Sequence, residues 1–219
     1  MPKCRPRPEV VENQQTAGVS IMLPTIGVVY VRTYKCAASS TGAVLSGWGK
    51  RRWKMRHARA ACFEYVGLRD LAFLASQHRD WIFLALCRHP LTRLVSAWHH
   101  PGFAERGDDH YTFERFVHDV AATPDGSCDQ HIRSQTYLRP DAVVNLPLED
   151  MPASWQVVQD AIAARGMEPP PELTHLNPSQ RRADWTTYYT PELRAIAEQR
   201  YADDFARLPY AQGIDTVTT

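Results

Sequence analysis

Residues 81–87 read Trp-Ile-Phe-Leu-Ala-Leu-Cys, an unbroken apolar run between Asp80 and Arg88. It is far shorter than the roughly 20 residues that cross a bilayer. A run of this length with polar flanks suits a strand buried on both faces. Ile26–Arg32 (IGVVYVR) is similar, short and β-branched. Ala142–Leu146 (AVVNL) makes a third such run, and Ala60–Val66 is a candidate fourth. Helical spacing fills the intervals at Ser40–Trp48, Leu68–Gln77 and Thr92–His99. Thr112–Ala122 puts Phe113, Phe116, Val117 and Val120 on one helical face behind a Thr112 cap. Ser154–Arg165 ends at Gly166, as a C-cap glycine would end it. Thr190–Leu208 opens on Thr-Pro-Glu and reads as one amphipathic helix.

Apolar strands alternating with helices predict an α/β fold, three layers α/β/α around a mostly parallel central sheet. Residues 1–24 read as an N-terminal leader, partly extended, and 25–219 as a single domain. The 44% hydrophobic and 22% charged residues exclude a disordered or collagen-like chain. The first residues lack the apolar core of a secretory signal. Five cysteines, odd in number and without a Cys-x-x-Cys pair, predict reduced thiols in a cytoplasmic protein and no structural zinc.

The net charge of +1 hides an asymmetry. Residues 1–63 carry eleven Lys/Arg and two acids, a net of +9, whereas 64–219 carry a net of −8. No acid lies between Glu12 and Glu64. The basic third draws in an anionic ligand or forms a solvated face compensated elsewhere. Within it, Lys50–Arg59 (KRRWKMRHAR) interleaves Trp53 and His57 with its charges. It is either an acceptor platform or a solvated face; no nucleic-acid motif accompanies it.

In open α/β sheets, ligands bind where strands give way to helices. After Arg32 the chain reads Thr33-Tyr34-Lys35-Cys36-Ala37-Ala38-Ser39-Ser40-Thr41-Gly42 and enters a helix. Small residues, three hydroxyls and a helix N-terminus suit a phosphate or sulfate. Lys35 is one of only four lysines in the chain. Trp48 stands where a Walker loop spaced on Gly42 and Gly47 needs lysine. Gly42 stands where a cysteine phosphatase built on Cys36 needs arginine, so Cys36 reads as a small buried filler. The second junction is Arg88-His89-Pro90-Leu91-Thr92-Arg93-Leu94-Val95-Ser96-Ala97-Trp98. Arg88 is placed to grip a phosphate in two places. Ser96 follows two helical turns on, and Arg93 reads as solvated.

Together the two junctions resemble the sulfotransferases that use 3′-phosphoadenylyl sulfate (PAPS), and most nearly the carbohydrate branch. That branch follows a strand with Arg-x-Pro-Lys-Thr-Ala-Ser-Thr-Ser, and its second signature is Arg-Asp-Pro-x-x-Arg-x-x-Ser-x-Tyr. Here Tyr34 replaces the Pro, His89 the Asp and Trp98 the Tyr. Segments 131–135, 148–151, 188–193 and 201–205 are also similar to the family, so the likeness covers roughly residues 26–210.

The resemblance implies transfer of a sulfuryl group from PAPS to an acceptor hydroxyl or amine, with PAP as product and without a metal. It implies Lys35 at the leaving oxygen. Arg32, the backbone of Cys36, Ala37 and Ala38, and Ser39 and Ser40 would hold the 5′-phosphosulfate. Arg88 and Ser96 would take the 3′-phosphate. Arg181 and Arg182 would close over the cofactor or lie on the surface. The general base is left among Glu64, the nearest candidate, His57 and His131. The acceptor would be a glycan or small metabolite, with no nucleic-acid partner and no membrane span. The alternatives are a P-loop-like kinase, lacking here its Walker lysine and an evident Mg²⁺ ligand, and a non-catalytic polyanion-binding module.

Overall fold

The computed structural model describes residues 20–52, 64–104, 111–173 and 184–212. Its centre is a five-stranded sheet of β1 (Ser20–Leu23), β2 (Val28–Tyr30), β3 (Glu64–Val66), β4 (Ile82–Cys87) and β5 (Val143–Pro147), in the order β3-β1-β2-β4-β5. β2, β4 and β5 are parallel, and β1 runs antiparallel to both β2 and β3. Four strands therefore share one direction, and the sheet is mostly parallel as expected.

β1 corrects the N-terminal reading. Ser20–Leu23 (SIML) falls within the expected leader, yet all four residues are buried. The hairpin to β2 turns through Pro24–Gly27, and Gly27 has φ +62°. A Cβ there would stand 2.7 Å from Trp81 Cδ1, so sterics and conformation both demand glycine.

Both sheet faces are covered. On one, Ile21, Leu23, Val28, Tyr30, Leu84 and Leu86 pack on α1 (Ala38–Arg52) and α6 (Met151–Ala163) through Leu45, Trp48, Trp155, Val158 and Ile162. On the other, Met22, Val29, Val31, Phe83 and Ala85 pack on Leu71 of α2 (Leu68–Gln77). These are the three expected layers. A further apolar cluster joins α3 (Pro90–Trp98), α4 (Pro101–Ala104), α5 (Phe113–Ala121), α7 (Pro191–Arg200) and α8 (Ala202–Arg207). Thr112 caps α5 as expected, its Oγ1 accepting from Arg115 N at 3.3 Å. Gly166 follows α6 with φ +79°. The long helix expected over 190–208 is broken at Tyr201. Tyr201 is buried and donates its hydroxyl to Ile132 O at 2.7 Å. The break turns Asp204 inward, where it meets the backbone of the 135–136 segment. No described helix is long and apolar enough to cross a membrane.

Candidate active site

The first loop runs from the end of β2 into α1 at one edge of the sheet. Lys35 and Ala37 both adopt left-handed backbone, at φ +64° and +54°. Each costs about 1–3 kcal/mol in a residue with a Cβ, so the surroundings must hold the turn in place. Turns of this kind point successive N–H groups into one concavity, which suits an anion. α1 has no acid in its first turn to compete for its positive end. Thr41 ties turn to helix: its N–H donates to Ala37 O at 3.0 Å, and its Oγ1 lies 3.1 Å from the same oxygen. Ser39 is exposed, Ser40 is buried, and Arg32 lies against Gly42 of α1. Cys36 is 1% exposed. Burial pushes its thiol up to about 11 despite the opposing charges of Arg93, Arg88 and Arg139. It is a filler, as its sequence context predicts.

The second junction leaves β4 parallel to β2, so both loops emerge at the same sheet edge. Arg88 Nε donates to Thr92 Oγ1 at 3.1 Å. Thr92 lies four residues after Arg88, and half-buried Ser96 lies four further on, along one face of α3. Arg93 is not solvated. It is 1% exposed and donates from Nε to Tyr34 O at 3.1 Å and from Nη2 to Arg133 O at 2.6 Å. The expectation failed because apolar neighbours on both sides leave a guanidinium no route to water once its helix is enclosed.

What fixes this junction comes from the later segments. The Gln135 side chain accepts from Arg88 N at 2.9 Å and donates to Arg88 O at 2.8 Å. The same Oε1 accepts from Cys36 Sγ at 3.2 Å, joining the two loops. Asp204, fully buried, accepts from the backbone N–H groups of Gln135 and Thr136, each at 2.9 Å. Glu149 accepts from His89 N at 2.9 Å and from Tyr210 Oη at 2.6 Å. His89 packs its ring between Trp185, Phe205 and Tyr210, so the residue that departs from the family pattern serves as core. None of these positioning roles was read from the sequence, although the segments containing Gln135, Glu149 and Asp204 were singled out.

Beside the first loop lies a histidine pair. His131 Nδ1 is 2.7 Å from Asp129 Oδ1, which also accepts from His131 N at 2.8 Å. In the neutral ring this contact places the proton on Nδ1 and leaves the lone pair on Nε2. His100 stacks on His131 with centroids 4.2 Å apart, and Tyr34 meets His131 edge-on at 5.0 Å. Burial, then the charges of His131 and Lys35, pulls His100 below its ordinary value. Burial opposes ionisation of Asp129, but the hydrogen bonds and charge of His131 outweigh it and hold the carboxyl low.

Glu64 opens β3 with its backbone opposite Met22, while Val66 pairs with Ser20 nearer the loop edge. The Glu64 side chain, His57, Arg181 and Arg182 lie outside what is described, as does the side-chain detail of Lys50–Arg59. Among the described residues, no group of three or more His, Cys, Asp or Glu could hold a metal ion.

Two strand-to-helix loops thus leave one edge of a mostly parallel sheet, and the first contains two left-handed residues. A comparison with family models matches residues 20–211 to the sulfotransferase family. That span covers most of the chain, which therefore belongs to this family. Neither the curated proteins nor the solved structures contain a match.

Proposed function

We propose that the protein transfers the sulfuryl group of PAPS to a hydroxyl or amine of an acceptor, a glycan or small metabolite, by in-line displacement. The observation that carries this reading is the meeting at one sheet edge of the left-handed Lys35 turn and the Arg88 loop, joined through Gln135. Backbone N–H groups from Cys36 to Ser40, with Ser39 and Ser40, hold the 5′-phosphosulfate beside Arg32. Arg88 and Ser96 take the 3′-phosphate. Arg181 and Arg182 are further candidates for contact with the cofactor, the alternative being surface arginines. As the bond from sulfur to the bridging oxygen breaks, charge builds on that oxygen. Lys35 meets this charge more strongly than in the ground state, which lowers the barrier.

His131 is assigned as the base. Asp129 holds its proton on Nδ1, so Nε2 takes the acceptor proton as the new oxygen–sulfur or nitrogen–sulfur bond forms. Tyr34, next to Lys35 in the chain, meets the His131 ring edge-on at 5.0 Å, which supports this placement. Glu64 and His57 are the alternatives. Unbridged, buried Cys36, Cys87 and Cys128 support a reducing, cytoplasmic setting. Turnover and PAP affinity of His131→Gln and Glu64→Gln test the base. Loss in the first alone, by on the order of a hundredfold with PAP affinity kept, is expected; loss in the second alone transfers the role to Glu64.

A further inference from the structure

One buried guanidinium ties the Lys35 turn to the histidine pair. Arg93 donates from Nε to Tyr34 O at 3.1 Å and from Nη2 to Arg133 O at 2.6 Å. Tyr34 immediately precedes Lys35, and Arg133 lies two residues after His131. Both bonds go to backbone carbonyls, so they set the register of one segment against the other whatever side chains the segments carry. Arg93 is 1% exposed, and charge-assisted bonds shielded from water are strong ones.

That register brings the Tyr34 ring to the His131 ring, edge-on at 5.0 Å with 73° between the planes. Asp129 Oδ1 meets His131 Nδ1 at 2.7 Å, and His100 stacks on the imidazole with centroids 4.2 Å apart. Phe103 is farther off, at 6.5 Å. One hydrogen bond at one nitrogen fixes the proton but lets the ring swing about that contact. Packing on the rest of the ring limits the swing. The Tyr34 ring has its own supports: Arg93 holds its backbone, and the Arg32 guanidinium stands 6.0 Å from its centroid. An edge-on aromatic pair corresponds to about two- to tenfold in the population of the held arrangement. That is small beside folding but large for a nitrogen that must face one acceptor proton. The His131 side chain remains 17% exposed, so an acceptor can still reach the ring.

We propose that Tyr34 is a positioning residue for His131. Its ring, registered by Arg93, holds the imidazole so that the Asp129 bond persists and Nε2 stays unprotonated in one orientation. The residue next to the donor-side lysine thereby orients the histidine. The consequence for sulfuryl transfer rests on the reading of His131 as the base; the positioning itself does not.

Long-range proton–nitrogen NMR on the whole protein, histidine-labelled and saturated with PAP, tests this at about pH 8, where an ordinary imidazole is neutral. The His131 signals are identified by their loss in His131→Gln. The unaltered protein should show one His131 tautomer, with its proton on Nδ1. In Tyr34→Ala the share protonated on Nε2 should rise about two- to tenfold. Tyr34→Phe keeps the ring and should restore the single tautomer. PAP affinity should stay within a few-fold in both variants, because Arg93 bonds the backbone of residue 34 and not its side chain. If Tyr34→Ala fails to fold, Tyr34→Leu fills the space without an aromatic ring and carries the same expectation. An unchanged His131 tautomer in the folded alanine or leucine variant overturns the proposal, as does failure of phenylalanine to restore it. A large loss of PAP affinity in Tyr34→Ala would put the ring's effect in the donor loop and overturn it too. A His131 protonated on Nε2 in the unaltered protein overturns both the positioning and the base. Loss of turnover in Glu64→Gln alone, with the tautomers as expected, supports the positioning and moves only the base.

Discussion

The side-chain amide of Gln135 grips Arg88 by both backbone groups, accepting from its N–H at 2.9 Å and donating to its carbonyl at 2.8 Å. A side chain here completes a backbone pairing that β4 has run out of strands to provide. Gln135 is itself held by Asp204, so the position of Arg88 depends on a helix turn more than a hundred residues later.

Gln135→Ala should therefore act on binding as well as stability. Buried neutral hydrogen bonds contribute about 1 kcal/mol each, and stranding their partners costs more. A loss of about 2–4 kcal/mol in unfolding free energy is expected. PAP affinity should fall about tenfold or more as Arg88 loosens, readable by calorimetry at a temperature where the variant is folded. Unchanged PAP affinity would detach Arg88 from the 3′-phosphate.

Lys35 separates chemistry from conformation. Lys35→Ala keeps a Cβ at φ +64°, whereas Lys35→Gly removes it. Both should lower turnover by on the order of a hundredfold or more. Glycine should be the more stable of the two by about 1 kcal/mol, since the left-handed cost disappears. Denaturant unfolding measures the difference, and a more stable alanine variant would contradict the turn geometry.

Acid should weaken the fold near the histidine pair. His100 lies below its ordinary 6.5 because burial, then the charges of His131 and Lys35, disfavours the imidazolium. The unfolded chain then binds more protons just below that pH, so stability falls as pH drops through the interval. Asp129 has the carboxylate sign: held below its ordinary 3.8, it stabilises at neutral pH and loses that contribution as pH falls through its folded value. Melting temperatures from about pH 7 to about pH 5 should decline less steeply in His100→Gln than in the parent. Parallel profiles would remove His100 as a source of the acid sensitivity.

Cys36 should be dispensable chemically. Its thiol is buried and pushed up to about 11, so the folded protein should resist iodoacetamide at this position, as peptide mapping can show. Cys36→Ala should keep turnover within a few-fold, the cost being one bond to Gln135 and a small cavity. A collapse of activity in a folded variant would reopen a covalent role.

Much of the architecture was legible because burial leaves a direct mark on the sequence. β4 is a continuous apolar run, Leu68–Gln77 has helical spacing, and Thr112 caps α5 as its side chain predicts. β1 was missed because four residues after a polar stretch carry too little pattern to show that a hairpin will bury them. Arg93 was misjudged because sequence records its charge but not the carbonyls of Tyr34 and Arg133 that meet it. The loop-forming residues Lys35 and Arg88 were visible as local motifs. Their supports, Gln135, Glu149 and Asp204, act across long sequence separations, and only the fold brings them together.

The central claim is that the two loops read a nucleotide by its separate 3′- and 5′-phosphate groups. Calorimetric titration of the protein with PAP and, separately, with ADP tests it most directly. PAP should bind at least about a hundredfold more tightly, a difference of about 2.7 kcal/mol, and Arg88→Ala should erase most of that preference. ADP binding as tight as PAP, or tighter, would contradict the account.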